Sequence, residues 1–291
     1  MKGTLGPETN LEAIHSVEEQ GVSLDGIRVR YLRSGSGPPL LLLHGLLGYS
    51  FSWRFAMPVL AHQATVYAVD MPGAGFSERP ADLDCCLKAS AERLLRFLDV
   101  VGLESCDLLG TSQGGAVAMM AAAIAPRRVR RLILVNPVNP WSAHGKRRAN
   151  FLSSRPITPL FLRLAPRLTM THDFILRRLF GDARRIRPGT LEGYSAPFAL
   201  PGAFINTLAM LRSWNRDLQQ LESMLPRINH IPTLMVWGSV DRAVTPESAH
   251  ELLKHFQNCR VVMLKGVGHL PYEEVPEEFN RVVVEFLEQP S

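Results

Sequence analysis

The run Gly110-Thr111-Ser112-Gln113-Gly114 lies between a short apolar stretch, residues 106–109, and a stretch of small residues, 115–125. That order predicts a strand, a sharp turn and a helix. A turn of this kind lifts its central side chain out of the sheet and sets the hydroxyl at a helix N-terminus. The flanking glycines have a steric reason. Strand and helix approach so closely there that a Cβ two positions either side of Ser112 would collide with the neighbouring backbone.

The surrounding chain repeats the same strand-then-helix rhythm. Residues 22–33 alternate around Asp25-Gly26, a hairpin signal. Residues 40–43 are a run of leucines, the pattern of a parallel strand buried on both faces. Further strands are expected at 65–69, 106–109, 132–135, 233–237 and 261–264, and helices at 89–101, 248–256 and 276–287. Alternation of this kind predicts an α/β fold: a doubly wound, mostly parallel, eight-stranded sheet. With 46% hydrophobic and 20% charged residues, the 291-residue chain has enough apolar side chains for a large core.

Between Asn136 and Ile228 the rhythm breaks into helical patterns such as Phe174, Ile175, Leu176, Leu179 and Phe180, with no convincing strand. The expected organisation is a core of residues 1–136 and 229–291 interrupted by a helical cap, 137–228. Positive charge concentrates there too, with 14 Lys+Arg against 5 Asp+Glu between Trp141 and Ile228, in a chain of net charge +5. Arginines on the wet faces of amphipathic helices account for such a surplus, and a surface for an anionic partner is the alternative. No nucleic-acid-binding signature accompanies the charge, so nucleic acid is not an expected partner. Residues 1–10 are polar, and the most apolar stretch, 116–125, is too short to span a bilayer. Cys85, Cys86, Cys106 and Cys259 have neither disulfide nor zinc spacing. The expectation is a cytoplasmic protein, monomer or homodimer, with no metal and no cofactor.

A serine hydroxyl becomes a useful nucleophile when a base takes its proton, and that base needs a partner to fix its tautomer. On this architecture the chain order is serine, acid, histidine. Asp241, in Gly238-Ser239-Val240-Asp241, follows the strand at 233–237. It is also placed to cap the next helix or to pair with Arg242. His269 follows the last strand in Lys265-Gly266-Val267-Gly268-His269 and stands out from the chain's nine histidines by that position. Ser112, Asp241 and His269 therefore converge on the carboxyl ends of the strands, where open α/β sheets carry their sites. The oxyanion donors expected are the backbone amides of Gln113 and of Leu46, in the loop after the strand at 40–43. His44 is read as structural.

Taken together, His44-Gly45, the turn from Asp70-Met71-Pro72-Gly73 to Ala74-Gly75-Phe76-Ser77, the serine elbow, Gly238-Ser239-Val240-Asp241 and Gly268-His269 resemble the α/β-hydrolase superfamily. The resemblance runs from about Leu40 to the C-terminus, apart from the expected cap. It implies a capped serine hydrolase that cleaves carboxylic esters of small to medium apolar substrates through an acyl-enzyme. A C–C bond hydrolase or a lactonase with the same triad is an alternative, as is a small-molecule receptor that kept the fold. Epoxide hydrolases and haloalkane dehalogenases of the superfamily carry an aspartate at the elbow, where this chain has Ser112. The loop at 44–48 lacks the glycine run of many lipases and departs from the C–C hydrolases in Leu46-Leu47-Gly48-Tyr49. Apolar candidates for the substrate pocket are Leu46, Trp141, Phe151, Phe198 and Phe204.

Overall fold

The structure is a computed structural model that describes residues 16–142, 162, 169–202 and 204–289. Eight strands form one sheet: β1 (Glu18–Leu24), β2 (Ile27–Ser34), β3 (Pro39–Leu43), β4 (Thr65–Val69), β5 (Cys106–Thr111), β6 (Val129–Val135), β7 (Thr233–Gly238) and β8 (Cys259–Leu264). Their spatial order is β1-β2-β4-β3-β5-β6-β7-β8. Strand β2 runs antiparallel to both its neighbours, and every pair from β4 to β8 is parallel. Asp25 and Gly26 make the two-residue hairpin turn between β1 and β2 with φ of 52° and 89°. Left-handed geometry at both turn positions matches the twist of the flanking strands.

The winding reverses at β3. The chain crosses to β4 on one side and then to β5 on the other, so the ends of β3 and β5 flank the topological switch point. Leu43 at the end of β3 lies in register with Gly110 in β5. The loop after β3 and the turn after β5 are thereby neighbours by construction.

Successive side chains of the parallel strands enter opposite cores. Leu41, Leu43, Leu108, Leu132, Leu134, Met235 and Trp237 face one side; Leu40, Leu42, Leu109, Ile133, Val135, Leu234 and Val236 face the other. The first core is closed by α2 (Leu87–Val100), α3 (Gln113–Ile124) and, after β7, α7 (Glu247–Leu253). The second is closed by α1 (Met57–Leu60), before these in the chain, and by the C-terminal α9 (Pro276–Leu287). Phe279, Val282, Val283 and Phe286 make the buried stripe of α9 at helical spacing. Burying each such side chain is worth about 1.5–3 kcal/mol. Helix α3 differs, since all its residues but Ile124 are buried. Its glycines and alanines let it lie close against the sheet.

Between β6 and β7 the described elements are helical: α4 (Thr169–Leu179), α5 (Thr190–Ser195) and α6 (Ile205–Met224), with short 3-10 turns. Leu218 and Leu221 of α6 join the first core, while Leu176 of α4 joins the second. Helix α8 (Pro271–Glu274) follows the last strand, a four-residue turn that sequence periodicity is too coarse to register. No helix among the described residues is long and apolar enough to cross a membrane.

Candidate active site

Ser112 occupies a left-handed backbone position, φ 52° and ψ −119°, a conformation that costs a non-glycine residue about 1–3 kcal/mol. The surrounding bonds impose it. The Ser112 amide donates to the Val135 carbonyl at 2.9 Å, and the Ser112 carbonyl accepts from Gly115 and Val138 at 3.1 and 2.9 Å. The side chain makes no capping bond to α3, so its hydroxyl projects from the turn. Glycines permit the approach. A Cβ at Gly110 would press into the Gly114 carbonyl, one at Gly114 into the carbonyls of Leu43 and His44, and one at Gly45 would come within 3.0 Å of Ser112 Cβ.

His269 follows β8 and α8 follows it; its side chain is 7% exposed and that of Asp241 is fully buried. His269 Nδ1 lies 2.7 Å from Asp241 Oδ2. The other oxygen, Asp241 Oδ1, accepts the amides of Ala243 and Val244 at 2.7 and 3.0 Å. One oxygen thus closes a turn and the other faces the imidazole; Asp241 does not cap the helix that follows, whose N-cap is Pro246 with no side-chain bond. The backbone of the histidine loop is fixed by its neighbours. The His269 amide donates to the Leu179 carbonyl at 2.7 Å, and its carbonyl accepts from Asn136 Nδ2 at 2.9 Å. Asn136 Oδ1 in turn accepts the Gly238 amide at 2.9 Å. Asn136, at φ 42°, thus ties the ends of β6 and β7 to the histidine loop. Sequence reading did not single it out, because nothing in its local pattern marks a bridge between distant loops.

Residues 45–48 form a turn closed by the Gly48 amide on the Gly45 carbonyl, with Leu47 at φ 61°. The amides of Leu46 and Gln113 have no acceptor among the described residues. His44 is fully engaged in this loop. Its Nδ1 donates to the Gly45 carbonyl at 2.8 Å and its Nε2 accepts the Met71 amide at 3.1 Å. Burial holds its imidazole below the usual value, in the neutral form those two bonds require. Asp70 is engaged likewise, accepting from Ser50 and Phe76 amides and from Arg30.

Ser112 and His269 line one cavity together with Leu46, Phe198, Tyr194 and Tyr272. The remaining candidates are placed differently. Phe204 is buried and packs its ring on Phe198, 5.0 Å between centroids. Trp141 stacks on His255 at 4.7 Å and packs against the first core, away from the cavity walls. An aromatic side chain near the start of a helical insertion gives no signal in sequence of which neighbour it meets. Phe151 lies outside the described residues. No cluster of metal-ligating side chains occurs among the described residues.

The model of the family described as alpha/beta hydrolase fold matches residues 38–276. The chain belongs to that family. A 2-hydroxymuconate semialdehyde hydrolase from a Pseudomonas species is 28% identical over 277 residues, covering 90% of this chain and 91% of the relative. Epoxide hydrolase 4 from Homo sapiens is 28% identical over 288 residues, covering 91% of this chain and 76% of the relative. Among solved structures, 2-hydroxy-6-oxo-6-phenylhexa-2,4-dienoate hydrolase from a Rhodococcus species shares the fold with a TM-score of 0.80 at 23% identity, covering 94% of this chain and all of the other.

Proposed function

We propose that this protein is a serine hydrolase acting on carboxylic esters, with Ser112, His269 and Asp241 as its triad and the helices between β6 and β7 as a cap over the site. The observation that carries the reading is the 2.7 Å bond between His269 Nδ1 and Asp241 Oδ2, made beside the cavity into which Ser112 is lifted. In the proposed cycle His269 keeps its Nδ1 proton on Asp241 and takes the Ser112 proton at Nε2 as Oγ attacks the carbonyl carbon. The negative charge that develops on the carbonyl oxygen is met by the amides of Leu46 and Gln113, both without another acceptor among the described residues. Collapse expels the alcohol with the proton from His269, leaving an acyl-serine. Water then loses a proton to His269 as it attacks the acyl carbon, and collapse releases the acid while His269 returns that proton to Ser112 Oγ.

A second reading has support of its own. The 2-hydroxymuconate semialdehyde hydrolase matches nearly end to end, which favours C–C bond hydrolysis through the same residues. Epoxide hydrolase 4 is as similar in identity, but Ser112 stands where epoxide hydrolases carry aspartate. Parallel assays on p-nitrophenyl esters and on a vinylogous 1,5-diketone acid separate ester from C–C chemistry. Under either reading Ser112→Ala lowers kcat by about 10³-fold or more, and a fluorophosphonate probe labels Ser112 in the parent protein. Unchanged turnover in Ser112→Ala would refute the triad.

A further inference from the structure

A second cavity lies behind the turn at 45–48, and that turn and Phe198 form walls of both cavities. Much of its lining is apolar, from Met71, Val117, Phe198 and Met210, yet Arg79, Arg93 and Asn206 also line it. Asn206 stands in the first turn of α6 and is only 3% exposed, and among the described residues neither its Oδ1 nor its Nδ2 has a partner. An amide buried without partners is costly unless something occupies it. The backbone is shaped around it, since a Cβ at Gly73 would lie 2.6 Å from Asn206 Nδ2.

Among the described residues neither arginine is in ion-pair contact with a carboxylate; Asp70 acts on Arg79, and Arg93 on Asp84, only through space. Arg79 donates to the carbonyls of Gly75 and Ser77, its Nε is buried without an acceptor among the described residues, and Arg93 donates to the carbonyl of Asp84. Neither forms an ion pair among the described residues. The nearby carboxylates are spoken for: Asp70 by Arg30 and the amides of Ser50 and Phe76, Asp84 by the Cys86 amide. Guanidinium groups beside a free amide suit a planar carboxylate, which takes paired N–H donors. The methionine and valine walls suit the hydrocarbon chain that carries it.

We propose that this second cavity is a carboxylate subsite, in which Arg79, Arg93 and Asn206 bind an acid group at the far end of the substrate. The substrate is then a monoester of a short aliphatic dicarboxylic acid, its reacting carbonyl at Ser112 and its free carboxylate behind the turn at 45–48. The substrate class rests on the hydrolase reading of Ser112; the carboxylate site itself is tested without turnover. Calorimetric titration of the Ser112→Ala variant with monomethyl adipate and dimethyl adipate compares an acid with its neutral counterpart. The acid is expected to bind at least about tenfold more tightly, the scale of one charge-assisted contact. That preference is expected to fall severalfold in Arg93→Gln and in Asn206→Leu, each added to Ser112→Ala, and to vanish when Arg79→Gln and Arg93→Gln are combined. Equal affinity for the two esters, no binding of either at millimolar concentration, or a preference that survives the double change overturns the proposal. If the double variant loses its circular dichroism, Arg93→Gln decides, because among the described residues its only side-chain hydrogen bond is to an exposed carbonyl. An acid preference without a fluorophosphonate adduct at Ser112 would sink the hydrolase reading and leave the carboxylate site standing.

Discussion

Asp241 shows how much chemistry one side chain absorbs when its two oxygens point apart. The aspartate does not cap the helix that follows, which begins at Pro246; instead Oδ1 takes the turn amides of Ala243 and Val244 while Oδ2 takes His269. His44 is the opposite case, a histidine whose two nitrogens are both committed to the backbone. Burial lowers its pKa below 6.5, so the unfolded chain takes up a proton first as pH falls. The stability given by the neutral ring is therefore complete above pH 6.5 and is lost as pH drops from there toward the folded-state value. Protonation at Nε2 would also remove the acceptor of the Met71 amide. Thermal melts between pH 7 and pH 5 are expected to fall more steeply for the parent than for His44→Gln; identical slopes would show that His44 does not titrate in that window. The places of Ser112, Asp241 and His269, the proposed triad, could be read in the chain because strand ends and glycines mark them. Asn136 and Asn206 could not, since what surrounds them is set by segments 102 to 133 residues away in the sequence.

At the scale of elements, the site follows from five strands ending along one edge of the sheet and from one helix brought unusually close. Gly114 is where α3 meets the end of β3, and any Cβ there would press on the carbonyl of Leu43 and lie 2.5 Å from that of His44. Gly114→Ala is expected to destabilise the fold by about 1–3 kcal/mol, the usual cost of overpacking. It should also lower kcat/KM more than that loss accounts for, because the displaced segment leads directly into residues 45–48. Urea midpoints read beside kinetics at saturating folded fraction test this, and normal turnover in a destabilised Gly114→Ala would detach the turn from catalysis. The central strands β3, β4, β5 and β7 were legible because burial on both faces leaves an uninterrupted apolar run, β1 and β2 because they alternate about a hairpin, and α9 because its stripe repeats at helical spacing. The short helices α1 and α8 were not, since four residues hold barely one turn and each begins around a proline that reads equally well as loop.

At the scale of the molecule, the segment between β6 and β7 is fastened to the core by buried polar groups as well as by apolar packing. Arg54 pairs with Glu273, which also accepts from Tyr194 of α5 at 2.8 Å, and Tyr49 donates to the Gly193 carbonyl at 2.7 Å. Glu274 gathers more. Its oxygens accept the amides of Gly181, Asp182 and Gly268 and the guanidinium of Arg185, all within 3.0 Å, on a side chain with no exposure. One carboxylate thus joins the end of α4 to the residue just before His269. Removing it leaves three amides and a cation without their acceptor, so Glu274→Ala is expected to cost about 3–5 kcal/mol. Glu277, three residues on, meets only Arg187 among the described residues, at the surface, and Glu277→Ala should stay within about 0.5 kcal/mol of the parent. Because Gly268 is one of the groups released, Glu274→Ala should also reduce kcat on any substrate turned over, with amide exchange accelerating at 266–270 before the sheet opens. Equal urea midpoints for the two variants would mean that apolar packing alone holds the segment down. A stability loss in Glu274→Ala with kcat intact would mean that His269 keeps its place through Asn136 and Leu179 without this link.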